Sequence, residues 1–85
     1  MPNEIVLARS ARRELERLPV QVARRILARI EHLAIDPRPA GTRKLRGADD
    51  LFRIRAGDYR IIYRVIADDG CVDIIAVRHR SDAYR

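Results

Sequence analysis

The chain is short, strongly basic and poor in aromatic residues. Its 85 residues leave room for one small domain, residues 1 to 85, and exclude a second one. Eighteen lysine and arginine side chains against twelve acidic ones give a net charge of +6, and Lys44 is the sole lysine. This balance favours binding to nucleic acid and suits an acidic protein partner equally well.

The cysteine content and the apolar runs restrict the class of protein further. Cys71 is the single cysteine, so an internal disulfide is excluded, and it has no neighbours at metal-ligand spacing. We therefore predict neither a metal nor a cofactor. The longest apolar runs fall far short of the roughly 18 residues that a membrane span requires. These features predict a soluble cytoplasmic protein with no membrane partner.

The first two predicted elements are a strand and a helix. Glu4-Ile-Val-Leu-Ala8 is rich in aliphatic residues and predicts a strand. Ser10 follows it and is predicted to be the helix N-cap, because its hydroxyl can accept a free backbone N–H. Pro19 is predicted to end this helix or to restart another. One face of the first helix carries its apolar side chains: Ala11, Leu15 and Leu18. Its charged residues are predicted to face water: Arg12, Arg13, Glu14, Glu16 and Arg17.

A second helix is predicted from Val20 up to the breaker Asp36-Pro-Arg-Pro39. Its apolar stripe consists of Val22, Ile26, Leu27, Ile30, Leu33 and Ala34. A tight bend at Leu18-Pro19 would join the two helices into an antiparallel hairpin. The combined apolar stripe needs a partner, and the predicted sheet is the available one.

The second half of the chain is predicted to be mainly strands. Residues 37 to 50 are rich in breakers and predict a connection, while Gly57-Asp58 and Asp68-Asp69-Gly70 predict turns. Cys71-Val-Asp-Ile-Ile-Ala-Val77 predicts the last strand. The element order is then β-α-α-β-β-β. This order predicts an α+β fold, in which an antiparallel-rich twisted sheet carries a two-helix hairpin on one face.

Strict alternation in two strands separates a predicted core face from a predicted cationic face. Phe52 and Ile54 alternate with Arg53 and Arg55, so a strand sends the two kinds of side chain to opposite sides. The next strand repeats the pattern. Its apolar members are Tyr59, Ile61, Tyr63 and Val65, and its cationic members are Arg60 and Arg64.

Four segments form an ordered set of basic strand motifs. They are Lys44-Leu-Arg-Gly47, Phe52-Arg-Ile-Arg55, Gly57-Asp-Tyr-Arg-Ile-Ile-Tyr-Arg-Val65 and Val77-Arg-His-Arg-Ser-Asp-Ala-Tyr84. Together they resemble the RelE/ParE superfamily of bacterial and archaeal toxins, and in particular its RelE branch. The resemblance covers nearly the whole chain and implies the RelE-like ribonuclease-type fold.

The resemblance to RelE implies the toxin of a type II toxin–antitoxin system that cleaves mRNA in the ribosomal A site and inhibits translation. Cleavage of RNA without a metal uses the neighbouring 2′-hydroxyl as nucleophile. The protein then has to orient the backbone, offset charge on the transition state and protonate the leaving 5′-oxygen. Guanidinium groups suit the charge-offsetting step because they bind phosphate oxygens bidentately.

Five residues are implied by the resemblance to be catalytic: Arg53, Arg55, Arg60, Arg78 and Tyr84. The first three would orient the phosphate and compensate its charge, and Arg78 would donate a proton or stabilise the leaving group. Tyr84 would stack on a base or activate the 2′-hydroxyl. Packing of Tyr84 on the sheet is the alternative interpretation of that residue.

The general base is left to Tyr84 or His79, because arginine is a poor base at neutral pH. Histidine is the residue type used most often for acid–base chemistry near neutral pH, which makes His79 a candidate. Strand alternation, however, predicts that His79 faces away from Arg78, beside Val77 and Ile75, unless a bulge intervenes. We therefore interpret His79 as a packing residue.

A second group of cations is predicted to contact RNA or the ribosome: Arg43, Lys44, Arg46, Arg64 and Arg80. Contacts of this kind reach the phosphate backbone and do not depend on sequence. For Arg43, Lys44 and Arg46 the alternative is a solvated loop.

Membership of this superfamily implies a cognate antitoxin whose acidic segment wraps the toxin. Operator DNA would then be bound only through the antitoxin, while mRNA and the ribosome would be direct partners. Two alternative functions remain open at the level of sequence. One is a ParE-like poison of DNA gyrase without ribonuclease activity, and the other is a non-catalytic basic module that binds RNA or protein.

Overall fold

The computed structural model describes residues 2 to 47 and 50 to 81. The elements are β1 (Glu4–Leu7), α1 (Arg9–Glu16), α2 (Val20–Ile35), β2 (Arg43–Lys44), β3 (Leu51–Ala56), β4 (Tyr59–Ile66) and β5 (Cys71–His79). A 3-10 turn over Ala67–Asp69 joins β4 to β5. Within the described ranges, every helix is too short or too polar to cross a membrane.

The five strands form one mixed sheet in the order β1-β5-β4-β3-β2. β1 runs parallel to β5, and the other neighbours are antiparallel. The two helices lead the chain from β1 to β2 at the opposite edge of the sheet, and the antiparallel strands β3 and β4 bring it back to β5 beside β1. The predicted α+β fold is thereby confirmed, with one addition. The short edge strand β2 lies inside residues 37 to 50, which the sequence predicted to be only a connection.

Both helices pack on the same face of the sheet, and the core lies between them and the strands. Phe52 opposes Tyr63 and Ile54 opposes Ile61 across β3 and β4, so all four side chains point towards the helices. The prediction that alternate residues of these strands form one apolar core face is confirmed. The helices contribute Ala11, Leu15, Ile26, Ile30 and Leu33 to the core.

Helix α2 matches its predicted bounds, but one residue was wrongly predicted to belong to its buried apolar stripe. Ile26, Ile30 and Leu33 are buried, whereas Leu27 is 36% exposed. A step of one residue along a helix rotates the side chain by about 100°, so the neighbour of Ile26 leaves the buried face.

Helix α1 covers the part of β5 that β1 does not reach. The pairing of β1 with β5 ends at Ile74. Beyond it, the Ser10 hydroxyl donates to the Ile75 carbonyl at 2.7 Å, and Glu14 Oε1 accepts from the Val77 N–H at 2.9 Å. The rise of about 6 Å over the four residues from Ser10 to Glu14 is close to the length of about 6.6 Å of two strand residues, so the two side chains reach both groups.

Ser10 is therefore not the N-cap that the sequence predicted. The helix begins at Arg9 after the extended residue Ala8, without a side-chain cap. The Ser10 hydroxyl is used in the tertiary contact with β5 instead. The hydroxyl satisfies a backbone carbonyl on β5 where no partner strand follows β1, and it does not satisfy an N–H group at the start of α1.

Tyr63 anchors the connection from α2 to β2. Its ring is fully buried, and its hydroxyl donates to the Pro37 carbonyl at 2.7 Å. Burial raises the pKa of the Tyr63 hydroxyl above its usual value of 10.0. The Arg38 guanidinium lies 4.8 Å from the centre of the Phe52 ring. The connection thus covers the end of the core next to β2.

Candidate active site

A row of arginines crosses the face of the sheet that points away from the helices. Arg55 on β3 opposes Arg60 on β4, and Arg60 opposes Arg78 on β5. Directly opposed residues in antiparallel strands project their side chains to the same face. Residues predicted to be catalytic on three separate strands are therefore brought into one row.

A second row lies beside the first. Arg43 on β2 opposes Arg53 on β3, and Arg53 shares its face with Arg55 two residues further along the same strand. We call the combined set, Arg43, Arg53, Arg55, Arg60 and Arg78, the arginine face.

A bulge in β5 decides that Arg78 belongs to the arginine face. Tyr63 opposes Ile74 while Ile62 opposes Ala76, so Ile75 is an extra residue. The helix-facing positions of β5 change from even to odd numbers at this point. The predicted grouping of Ile75 with Val77 is therefore wrong, whereas Arg78 keeps its register with Arg60 because the bulge lies before it.

The turn between β3 and β4 brings Arg80 to one end of the row. Gly57 has φ +61 and Asp58 does not have positive φ, which are the signs of a type II′ turn. The Asp58 carbonyl accepts the Arg80 N–H at 2.8 Å. A cavity of about 380 Å³ forms there, lined by Arg55, Gly57, Asp58, Tyr59, Arg60, Arg80 and Ser81.

A neighbouring cavity of about 400 Å³ lies beside β2. Its lining consists of Gly41, Thr42, Arg43, Arg53 and Arg55. Arg55 lines both cavities. We call the two cavities, which adjoin at Arg55, the cleft; Arg78 lines neither of them.

The arginines of the first row differ in how tightly they are held. Arg60 is only 9% exposed, whereas the Arg78 side chain is 52% exposed. Arg78 Nε lies 3.6 Å from Glu14 Oε2, the same carboxylate that accepts the Val77 N–H. A buried guanidinium needs little reorganisation to meet a developing negative charge, and Arg60 is the residue that meets this requirement best.

The other predicted RNA-binding cations lie outside the two rows. Arg64 Nε is 3.0 Å from Asp50 Oδ2, a charge contact without hydrogen-bond alignment, and Arg64 also opposes Asp73. Lys44 opposes Phe52 and so occupies a helix-facing position. Arg46 is exposed in the loop after β2.

The two candidate bases are in different situations. His79 opposes Tyr59 on the helix side, where the two rings meet edge to face at 5.2 Å, and His79 Nδ1 is 2.8 Å from the Ser81 hydroxyl. This agrees with its interpretation as a packing residue. Tyr84 lies outside the described residues. Within residues 2–47 and 50–81, no group of three His, Cys, Asp or Glu side chains could hold a metal ion.

Glu14 is the residue beside the cleft that sequence reasoning missed. Its helical pattern predicted that it faces water, yet its carboxylate contacts both Val77 and Arg78. The available signal was its spacing of four residues from Ser10, which places both side chains on one side of α1.

The comparisons with known proteins agree with this geometry. Residues 5 to 84 match the family described as the ParE toxin of the type II toxin–antitoxin system parDE. Toxin RelG of Mycobacterium tuberculosis is 34% identical, over 100% of this chain and 99% of RelG.

Solved structures give the same answer. The archaeal RelE–RelB complex from Pyrococcus horikoshii contains a chain that is 32% identical, with a TM-score of 0.83 over 94% of this chain and 97% of that one. A RelBE toxin–antitoxin complex from Mycobacterium tuberculosis gives 28% identity and a TM-score of 0.82, over 96% and 95%. This chain therefore belongs to the RelE/ParE superfamily, and it is a toxin of the type II toxin–antitoxin class.

Proposed function

We propose that this toxin is an endoribonuclease that cleaves mRNA on the ribosome without a metal ion and so inhibits translation. The observation that carries the proposal is the row Arg55, Arg60 and Arg78, in which three guanidinium side chains share one sheet face. A row of cations that includes the nearly buried Arg60 suits a substrate that gains negative charge at one phosphorus atom.

In the proposed reaction the 2′-oxygen attacks the adjacent phosphorus and the 5′-oxygen leaves, which produces a 2′,3′-cyclic phosphate and a free 5′-hydroxyl. Arg60 and Arg55 bind the non-bridging oxygens, whose charge grows in the phosphorane-like transition state. Arg78 stabilises or protonates the leaving 5′-oxygen. Arg53, in the neighbouring row, orients the reacting phosphate by holding the RNA backbone next to it.

We assign the removal of the 2′-hydroxyl proton to Tyr84. His79 projects to the sheet face opposite that of Arg60 and Arg78, which argues against it as the base. Tyrosine has an ordinary pKa of about 10, and a cationic environment favours the charged form of a tyrosine that enters it.

The proposed partners are mRNA, the ribosome and a cognate antitoxin, and a ribosomal target implies a cytoplasmic location. Two of the matched structures are complexes of a RelE toxin with its RelB antitoxin. The net charge of +6 suits an acidic wrapping segment. Contact with operator DNA would occur through that antitoxin.

The test is to incubate the purified toxin with ribosomes that carry a defined mRNA and to map the new RNA ends. We expect cuts within the A-site codon that leave a cyclic phosphate, and loss of these cuts in Arg60→Ala. Intact mRNA would refute the proposal. Ribosome binding without cleavage would support the non-catalytic module instead.

A second candidate function follows from the description of the matched family as ParE, which favours the gyrase poison. It predicts DNA breaks that depend on gyrase, and it gives the arginine row no chemical task. Supercoiling assays with purified gyrase, run beside the ribosome assay, separate the two functions.

A further inference from the structure

We infer that Arg43 and Arg53 form a second phosphate subsite, which binds a phosphodiester next to the one that is cleaved on the same RNA strand. This inference deepens the proposed function and rests on it. The ligand is an RNA phosphate, and the subsite fixes the register of the strand in the cleft.

The shape of the cleft gives the first argument. Arg43 and Arg53 line the cavity of about 400 Å³, and Arg55 connects it to the cavity that contains Arg60. A strand whose reacting phosphate lies at Arg60 can therefore continue into the second cavity without leaving cationic surface. Gly41 forms part of its wall, where even an added Cβ would meet no protein atom within 4 Å.

The strand register gives the second argument. Arg53 and Arg55 share one face and are separated by two residues, which is about 6.6 Å along β3. This spacing is close to that of neighbouring phosphates on an extended single strand. The two rows of the arginine face can then bind two successive phosphates.

Charge gives the third argument. Arg43 opposes Arg53 directly, so two cationic side chains project to the same side of the sheet at its β2 edge. A phosphate bound between them would accept from both guanidinium groups, each able to use two N–H groups.

A ribosomal RNA phosphate has the same chemistry as an mRNA phosphate, so the experiment has to separate the two sources. We propose a cycle that combines a protein variant with a change in the mRNA alone. In each mRNA, one linkage near the cut is replaced by a neutral methylphosphonate. The protein variants are wild type, Arg43→Ala and, as the matched control, Lys44→Ala, which removes the same charge from the adjacent helix-facing position.

We expect one neutral linkage next to the cut to raise the KM of the wild-type toxin about tenfold. Arg43→Ala should raise the KM for natural mRNA by a similar factor and should show no further rise with that linkage. In Lys44→Ala the rise caused by the linkage should remain about tenfold. Thermal unfolding of Arg43→Ala should match wild type.

Independent, multiplying effects of Arg43→Ala and the neutral linkage at every position would overturn the inference. A loss of activity in Arg43→Ala without such coupling would point to ribosomal RNA and would also overturn it. Failure of the proposed function looks different, because wild-type toxin would then leave the unmodified mRNA intact.

Discussion

The two faces of the sheet are built from the same strands and have opposite properties. On the helix face Ile61, Tyr63 and Ile74 are fully buried. On the other face Arg55, Arg60 and Arg78 oppose one another in a row of like charges. Apolar burial stabilises the fold, whereas cross-strand repulsion opposes it. In this small chain, the apolar core and the proposed substrate-binding residues come from alternate positions of the same strands.

The sharpest instance is the pair Arg60 and Ile61, which are neighbours in sequence and project to opposite faces. One side chain is buried among apolar groups, and the other is a cation held at 9% exposure within the arginine face. Substitutions at these two positions should separate activity from stability, and the following predictions test that separation.

Arg60→Ala should have the largest effect. We expect the rate of mRNA cleavage to fall by about 10²- to 10³-fold, because a fixed donor to the developing negative charge is lost. The unfolding midpoint should fall less than in Ile61→Ala, because Arg60 projects away from the apolar core. Single-turnover cleavage on programmed ribosomes and urea unfolding measure the two quantities.

Arg64→Ala is the matched control for that prediction. Arg64 lies on the same strand and the same face, but its charge is offset by Asp50 at 3.0 Å. We expect less than about a fivefold loss of cleavage, as an exposed ion pair contributes little. Equal losses in the two variants would mean that total charge, rather than the arginine row, determines the rate.

Ile61→Ala should show the reverse pattern. Removing a fully buried aliphatic side chain is expected to lower the free energy of unfolding by about 3 kcal/mol. Cleavage per folded molecule should stay near the wild-type rate. If this variant does not fold, Ile61→Val, with an expected cost of about 1 kcal/mol, tests the same point by urea unfolding. A selective loss of catalysis in Ile61→Val would contradict the separation of the two faces.

The separation of apolar and cationic side chains onto opposite faces of the sheet was predictable from the sequence. Strict alternation in β3 and β4 allows only one assignment of their side chains to the two faces. The pairing of α2 with the sheet was also predictable from its apolar stripe. Neither conclusion needs long-range information, since each depends on a local period and on the need to bury apolar area.

The parts that escaped prediction depend on contacts between distant residues. Cys71–His79 contains a run of apolar residues that does not alternate, so nothing in it marks Ile75 as the bulge. The roles of Ser10 and Glu14 follow from where β1 ends beside β5, which is a tertiary fact. Strand β2 is two residues long and carries no periodic signal of its own.

Glu14 provides an intermediate test, at the border between the two faces. Glu14→Ala removes the acceptor of the Val77 N–H and the partner of Arg78, and should lower the free energy of unfolding by about 1 to 2 kcal/mol. Glu14→Gln keeps an acceptor oxygen and should cost less than about 1 kcal/mol, since the half-exposed ion pair contributes little. Equal costs in urea unfolding would show that the charge, rather than the strand-edge hydrogen bond, is what matters.

The smallest expected effect is that of Tyr63→Phe on the helix face. Loss of the hydrogen bond from the Tyr63 hydroxyl to the Pro37 carbonyl should lower the free energy of unfolding by about 1 kcal/mol near pH 7. The variant lacks the group whose pKa burial raises in the folded state, so its stability should also respond differently to high pH.

The sign of that response follows from linkage. The raised pKa means that the folded protein favours the neutral hydroxyl, so its stabilising effect is complete below the ordinary value of 10.0 and is lost as the pH rises through the folded pKa. Wild type should therefore lose stability above pH 10 faster than Tyr63→Phe, and the difference between them should shrink. Parallel urea titrations from pH 7 to about pH 11 measure it, and a constant difference would contradict the buried-hydroxyl argument. Cleavage at neutral pH should be unchanged, because Tyr63 projects away from the arginine face.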